Sequence, residues 1–327
     1  MTRIAIIGAG LSGLTVAQKL KHHAEITIFE KSTSIGGRIS ARTNSIFQFD
    51  HGAQFFIAKH NDFLSFLKPL IECGIIKRWD ARFVEINGRA IEYQSQWNEE
   101  FPHYVGVPFM NSFLKVLASK IDIKFGQTVK FLQNKAGAWG VFDEEGDHLG
   151  SYDWVLSSIP ARQTMQIFPK DFEFLQILKC IKMSACCTVM LGFHEPLALE
   201  FDAALVKNND ISWISLNSSK PGRGSAPAVL IHSSNDWADA NIKKDLKEIE
   251  DHLSKIFFEI VNLSSTDVRC VDSKLWRFAN ASKRMEERAF IDQNRKLGAC
   301  GDWCIRGKVE AAFLSGQALA TELLDII

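Results

Sequence analysis

Residues 1–30 constrain this chain more than any other stretch. Residues 3–8 (RIAIIG) read as a short buried strand. The run Gly8-Ala9-Gly10-Leu11-Ser12-Gly13 follows at once and opens an apolar-periodic helix through Leu14, Ala17 and Leu20. Residues 25–29 (EITIF) read as a second strand, closed by Glu30. Strand, glycine turn, helix, strand and acid in this order form the pattern that binds the ADP half of a dinucleotide. Gly8 permits the tight turn, Gly10 lets a pyrophosphate approach the backbone, and Gly13 lets helix and strand pack closely. Leu11 and Ser12 open the helix, whose free N–H groups and partial positive charge face the phosphates. Glu30 stands twenty residues after Gly10, suited to accept from ribose hydroxyls, with Lys31 beside it.

The next segment narrows the cofactor. Gly36-Gly37-Arg38 follows the acid at a short fixed distance. An NAD dehydrogenase has no need of such an extension. An FAD site does, because backbone must pass close under the pyrophosphate and ribityl chain, and Arg38 can neutralise phosphate. Arg42 can assist. Residues 47–56 (FQFDHGAQFF) read as a strand ending in a small-residue turn that brings backbone toward an isoalloxazine. Gln54 would then offer polar contacts, Phe55 or Phe56 an aromatic wall, and His51 a structural histidine.

Charge and composition exclude other classes. Lys+Arg and Asp+Glu both number 38 in 327 residues, which argues against a nucleic-acid or anionic-membrane partner driven by bulk charge. No apolar run reaches membrane-spanning length, and the N-terminal apolar residues belong to the first strand rather than to a signal peptide, so a cytoplasmic location is expected. The seven cysteines show no CxxC pair and no His-rich spacing, so no metal is expected. They read as reduced buried thiols, with Cys300 and Cys304 kept in view as possible flavin attachment points.

Further along, residues 61–70 predict an amphipathic helix, 76–92 strands with an Asn87-Gly88 hairpin, 98–108 a loop, and 111–119 a helix. Residues 124–129 predict a strand whose backbone, at Val129, reaches the adenine. Residues 138–143 and 154–158 predict two more. A long excursion from Ala161 to about Met285 mixes strands (187–193, 228–233, 268–278) with a helix over 239–260. Residues 218–227 read as a flexible hairpin or lid tip. Trp276 and Arg277 read as pocket-lining residues on an edge strand. The end of the chain predicts a strand into Gly301-Asp302, where Asp302 suits a ribityl hydroxyl. A helix from Val309 to about Leu324 follows, its start at Val309, Glu310 and Ala311 suited to the N1–C2=O edge of a flavin.

The segments GAGLSGL, Glu30 through GGR, DHGAQFF, Ile159-Pro160-Ala161-Arg162-Gln163, WRFA and CGDWC…GKVEAAFLSG resemble bacterial renalase-like proteins, within the flavin amine oxidase superfamily. The resemblance covers almost the whole chain. It implies an α/β protein of the p-hydroxybenzoate-hydroxylase-like fold, with a Rossmann-type FAD-binding domain and a discontinuous α+β substrate domain on a mixed or antiparallel sheet. The expected division is 1–57, 105–162 and 288–327 for the FAD domain, and 58–104 and 163–287 for the substrate domain. It implies non-covalent FAD and oxidation of 2- or 6-dihydro isomers of NAD(P)H to β-NAD(P)+, with O2 as acceptor and H2O2 as product. Hydride donation from a dihydropyridine needs no protein base; Gln54, Phe55, Trp276 and Arg277 are the expected pocket residues. The chain departs from the family where Gly307-Lys308-Val309-Glu310-Ala311-Ala312 stands for the usual GRVEGA, at Arg162 (often Pro) and at Lys274 (often His). The alternative is a flavin amine oxidase for a small amine, with Lys274 as a lysine near N5.

Overall fold

The computed structural model describes residues 1–264, 267–281 and 287–327. The expected end of the second excursion at Met285 lies outside the described residues. A six-stranded sheet runs in the order Phe290–Asp292, Leu297–Ala299, Trp154–Ser157, Thr2–Ile7, Ala24–Glu30, Asp122–Phe125. All pairings are parallel except the hairpin of the first two. Thr2–Ile7 is central because Ile4, Ala5 and Ile6 are fully buried on both faces, as a parallel strand covered on both sides requires. The chain crosses to one neighbour through the helix Leu11–Leu20 and later returns on the other side at Trp154–Ser157. The crevice at the carboxyl end of Thr2–Ile7 is therefore a topological switch point, where open α/β sheets bind ligands.

A second sheet has seven strands, in the order Val268–Ala281, Met183–Phe193, Ala228–Ser233, Ile211–Leu216, Ala203–Lys207, Arg82–Asn87, Ala90–Gln96. One pairing, Ala203–Lys207 with Arg82–Asn87, is parallel and the rest are antiparallel, so the expected mixed sheet is present. The helix Leu246–Val261 covers one face with Ile249, Leu253, Phe257 and Ile260, spaced as one apolar stripe. Val189, Leu191, Val229, Ile231 and Ile214 receive it. Strand alternation then turns Thr188, Met190, His232 and Trp213 to the other face.

That other face looks onto residues 47–56. Phe47 and Phe49 pack with Met190 and Leu230. The His51 carbonyl accepts from Thr188 Oγ1 at 3.0 Å and from Trp276 Nε1 at 2.9 Å. Phe55 lies 5.5 Å from the ring of Trp213. Residues 47–56 thus form a seam between the second sheet and the loop after the first βαβ unit, where Ala53 N donates to the Arg38 carbonyl at 2.9 Å, although only Gln48–Phe49 is regular strand.

Several expectations change. The strand expected at 124–129 is Asp122–Phe125, because Gly126 turns at φ 70°. The loop expected at 98–108 contains the strand Tyr104–Gly106, paired with Ile76–Arg78. The helix expected at 239–260 is two, Asn235–Ala240 and Leu246–Val261, each begun by its own side-chain cap, Ser234 and Asp245. The helix expected at 111–119 shortens to Leu114–Ala118. Residues 218–227 do connect a hairpin, but they are no lid: Lys220 is 2% exposed and the Arg223 side chain 1%. Of the cysteines, Cys186, Cys187, Cys300 and Cys304 are buried, whereas Cys73 and Cys180 are exposed. No helix among the described residues is long and apolar enough to cross a membrane.

Candidate functional site

The glycine loop has the shape its residues dictate. Gly8 adopts φ 103°, a conformation side chains resist, and a Cβ at Gly13 would stand 2.2 Å from the Gly8 carbonyl. These two positions must be glycine for the turn and the helix to meet. Gly10 differs: a Cβ there meets no protein atom within 4 Å. The Leu11–Leu20 helix starts behind Gly10 with no side-chain cap, so its first N–H groups stay available to an anion. Glu30, 6% exposed, accepts from Ala9 N and Ser32 N at 2.8 Å each. Those bonds orient a carboxylate that still has lone pairs to spare. Lys31 is exposed beside it.

Gly36, at φ 133°, hands its N–H to the Ala9 carbonyl at 3.0 Å. Gly37 brings its Cβ position to 3.8 Å from Gly10 Cα. Two side-chain-free backbones thus face each other, a cradle that any Cβ would begin to fill. This fits a pyrophosphate laid between the two loops. Val129 is buried with Phe29 and Tyr152. The backbone before it is tied to the acid's strand through Gln127 N to Glu30 O at 3.1 Å and Gly126 N to Ser32 O at 3.1 Å.

The far end of the chain arrives here. Arg38 Nη1 donates to Asp302 Oδ2 at 2.8 Å and to the Ala279 carbonyl at 3.0 Å, and Nη2 pairs with Asp302 Oδ1. The fork joins the loop after the first βαβ unit to the turn at Gly301-Asp302. Ser12 Oγ donates to the Ala312 carbonyl at 2.7 Å, which docks the Val309–Leu324 helix on the first one. Val309 and Ala311 stand in its first turn; Glu310 is turned away, accepting from Lys59 N and His60 N at 2.6 and 2.9 Å. Cys300 and Cys304 are fully buried, and burial pushes both thiols up. Burial therefore favours the neutral thiol at both positions.

The turn at Gly52 is pressed onto the Arg38 carbonyl, where Ala53 N donates at 2.9 Å. Burial, then the Arg42 charge, holds the His51 pKa down to about 4. Its Nδ1 faces the Ser40 carbonyl at 2.9 Å, so the neutral ring donates there. Trp276 lies 5.2 Å from it. Arg277 is exposed on the opposite face of its strand, since neighbours on a strand point to opposite sides. Trp276 and Arg277 therefore do not share one pocket wall. Phe55 instead joins Trp97, His103 and Trp213, at 5.0, 4.9 and 5.5 Å. These half-buried rings form an aromatic wall.

Gln54 is committed to the protein. Its Nε2 donates to the Asp50 and Gly52 carbonyls, and its Oε1 accepts from Ser215 Oγ at 2.7 Å and Lys220 Nζ at 2.9 Å. Beneath it lies a cluster that the sequence reading missed. Asp50 Oδ2 receives Lys220 Nζ at 3.3 Å and Arg223 Nε at 3.1 Å, while Oδ1 accepts from Met110 N at 3.0 Å. Burial raises the Asp50 carboxyl, but Lys220 and Arg223 outweigh it and hold the pKa low. Burial presses Lys220 down to about 8. Residues 218–227 looked like solvent-exposed loop because no periodicity marks a buried turn; two cations near one another in a Gly/Pro run were the available signal.

Residues 6–70 match the NAD(P)-binding Rossmann-like domain. A zeta-carotene desaturase of Solanum lycopersicum is 27% identical over 223 residues, 63% of this chain and 36% of that protein. A 4,4'-diapophytoene desaturase of Staphylococcus aureus is 45% identical over 51 residues, 15% of this chain and 10% of the desaturase. The chain spans about a third of the first relative and a tenth of the second. Among solved structures, a protein assigned as a protoporphyrinogen oxidase from Exiguobacterium sp. 255-15 superimposes with a TM-score of 0.80 at 10% identity, over 98% of each chain. A triple mutant of putrescine oxidase gives 0.72 at 10% identity, over 99% of each. By fold, then, the chain is an α/β protein with a Rossmann-like domain, similar over nearly its whole length to these two solved structures.

Proposed function

We propose that the protein is an FAD-dependent oxidase of the renalase type. It takes a 2- or 6-dihydro isomer of NAD(P)H and O2, and returns β-NAD(P)+ and H2O2. The proposed division is an FAD domain of 1–57, 105–162 and 288–327, and a substrate domain of 58–104 and 163–287. The observation that supports the reading most is the convergence of Arg38, Asp302 and the Gly52 turn just beyond the open Gly10–Gly37 cradle. A lone ADP-binding turn has no use for that extension; a flavin dinucleotide does.

When bound, FAD supplies a two-electron acceptor; the protein supplies position and electrostatics. Gly10, Gly37 and the helix start at Leu11 and Ser12 would hold the pyrophosphate, Glu30 the adenosine ribose, and Arg38 with Asp302 the middle of the cofactor. Phe55, Trp213 and Trp276 flank the seam and would hold a planar ring at van der Waals distance, which is what hydride loss requires. Gln54 positions rather than reacts: it locks the 52–54 turn to Lys220 and Ser215. His51 stays neutral and donates to Ser40, so it orients backbone and moves no proton. The overall balance is dihydropyridine, O2 and one proton giving the aromatic pyridinium and H2O2.

Product analysis tests the reading. One H2O2 and one β-NAD(P)+ per O2 consumed is expected with the dihydro isomers. Rapid O2 consumption with primary or secondary amines, and none with the isomers, would replace it by the amine-oxidase alternative.

A further inference from the structure

Arg42 and Lys274, from two separate segments, stand at the rim beside Trp276, and the charge of the exposed Lys31 acts on Lys274 from a third. Arg42 Nη1 lies 2.5 Å from Asp272 Oδ2 and 3.5 Å from the Ser273 carbonyl, which fixes it against the two residues that precede Lys274. Lys274 Nζ sits 5.6 Å from the centre of the Trp276 indole. Burial and the like charges of Arg42 and Lys31 push the Lys274 ammonium pKa down, against the pull of Asp272. Lys31 follows the ribose-binding acid directly and is exposed. Among the described residues, Lys31 and Lys274 have no carboxylate partner, and Asp272 is already paired with Arg42. Arg42 and Lys274 therefore share the single carboxylate of Asp272, and Lys31 adds to the positive side. Arg38, the fourth nearby cation, is neutralised by Asp302.

An uncompensated patch of one sign concentrates ligands of the other sign and repels those of its own. It disfavours an ammonium substrate and favours an anionic one. The glycine cradle and the helix start already serve a cofactor pyrophosphate, whereas Lys274 stands on the strand that carries Trp276, two residues away on the same face.

We propose that Lys31, Arg42 and Lys274 form an anion-binding rim that receives a phosphate or pyrophosphate group of the substrate, selecting a nucleotide-bearing donor over a free amine. This rests on, and deepens, the oxidase reading above. The cofactor's own pyrophosphate carries the same chemistry, and binding experiments separate the two sources. Calorimetry of the FAD-loaded protein with NADP+ as probe is compared with nicotinamide riboside, which lacks phosphate. Lys274→Gln should weaken NADP+ about 5-fold, and Lys31→Gln with Lys274→Gln about 20-fold, as rim ion pairs allow. The slope of affinity against salt should flatten in both variants. Lys274→Arg should restore binding, and nicotinamide riboside should show no loss. Unchanged NADP+ affinity in the double variant, or no NADP+ binding by the parent protein, overturns the rim. A fall in FAD affinity without a fall in NADP+ affinity overturns it in favour of the cofactor. NADP+ binding that follows these charges in a protein that never turns over a dihydro isomer would leave the rim standing and remove the oxidase reading.

Discussion

Three glycines of one loop carry different burdens, and substitution separates them. Gly10→Val places its side chain where the protein has nothing within 4 Å. The variant should fold with the unfolding temperature of the cofactor-free parent yet purify without flavin absorbance. Gly13→Ala drives a methyl into the Gly8 carbonyl and should lower stability itself; circular dichroism melting and the 450 nm absorbance together distinguish the two. The motif made this loop legible, because each glycine answers a local steric demand. His51 was legible as a structural histidine, whereas His232 carried no such signal. His51 and His232 titrate near 4 and 3 rather than 6.5, in both cases mainly through burial. Their folded pKa values lie below the unfolded one, so the unfolded chain binds more protons between pH 6.5 and about 4. Stability present above pH 6.5 is therefore lost as pH falls through that window, by up to ~1.4 kcal/mol per pH unit for each ring. Urea unfolding at pH 7 and pH 5 measures it; equal midpoints would contradict the burial of both rings.

Residues 47–56 work as one element, although only two of them are regular strand. Their hydrogen bonds go to the second sheet at His51 and to the Arg38 loop at Ala53, and the Asp50 cluster locks them to the 217–223 turn. Asp50→Asn would leave two buried cations without a counter-charge and should cost about 3–5 kcal/mol. Lys220→Met removes the cation in excess and should cost much less, because Arg223 still satisfies the carboxylate. Comparable losses in the two variants, by denaturant midpoint, would show that the cluster is not held by Asp50. The FQFDHGAQFF segment was visible in the sequence as a strand and turn. Its partners were not: Lys220 and Arg223 lie about 170 residues away, and nothing local announces that a Gly/Pro/Ser turn folds inward. Likewise Trp276 and Arg277 are neighbours in sequence, and only the strand's alternation shows that they serve opposite faces.

At the scale of the whole molecule, a mainly parallel sheet with a switch point is joined, through residues 47–56 and the Arg38 loop, to a mixed sheet whose inner face is aromatic and polar. The first sheet was legible, apart from its edge strand Phe290–Asp292, because its strands alternate with turns and helices of fixed chemistry. The second was legible only as a class, since antiparallel order depends on contacts far apart in sequence. A ligand that binds only the folded form stabilises it by mass action, about 2.7 kcal/mol at a hundredfold excess over Kd. FAD added to stripped protein should therefore raise the unfolding temperature, and NAD+ should do so far less. An equal response to the two would remove the argument from Gly36-Gly37-Arg38 and Asp302. The most direct test of the account is the absorbance spectrum of the purified protein, recorded anaerobically before and after adding 2- or 6-dihydro-NAD(P). The account predicts an oxidised-flavin spectrum that bleaches within seconds and returns when air is admitted. A protein without flavin, or a flavin that these donors leave oxidised, would contradict it.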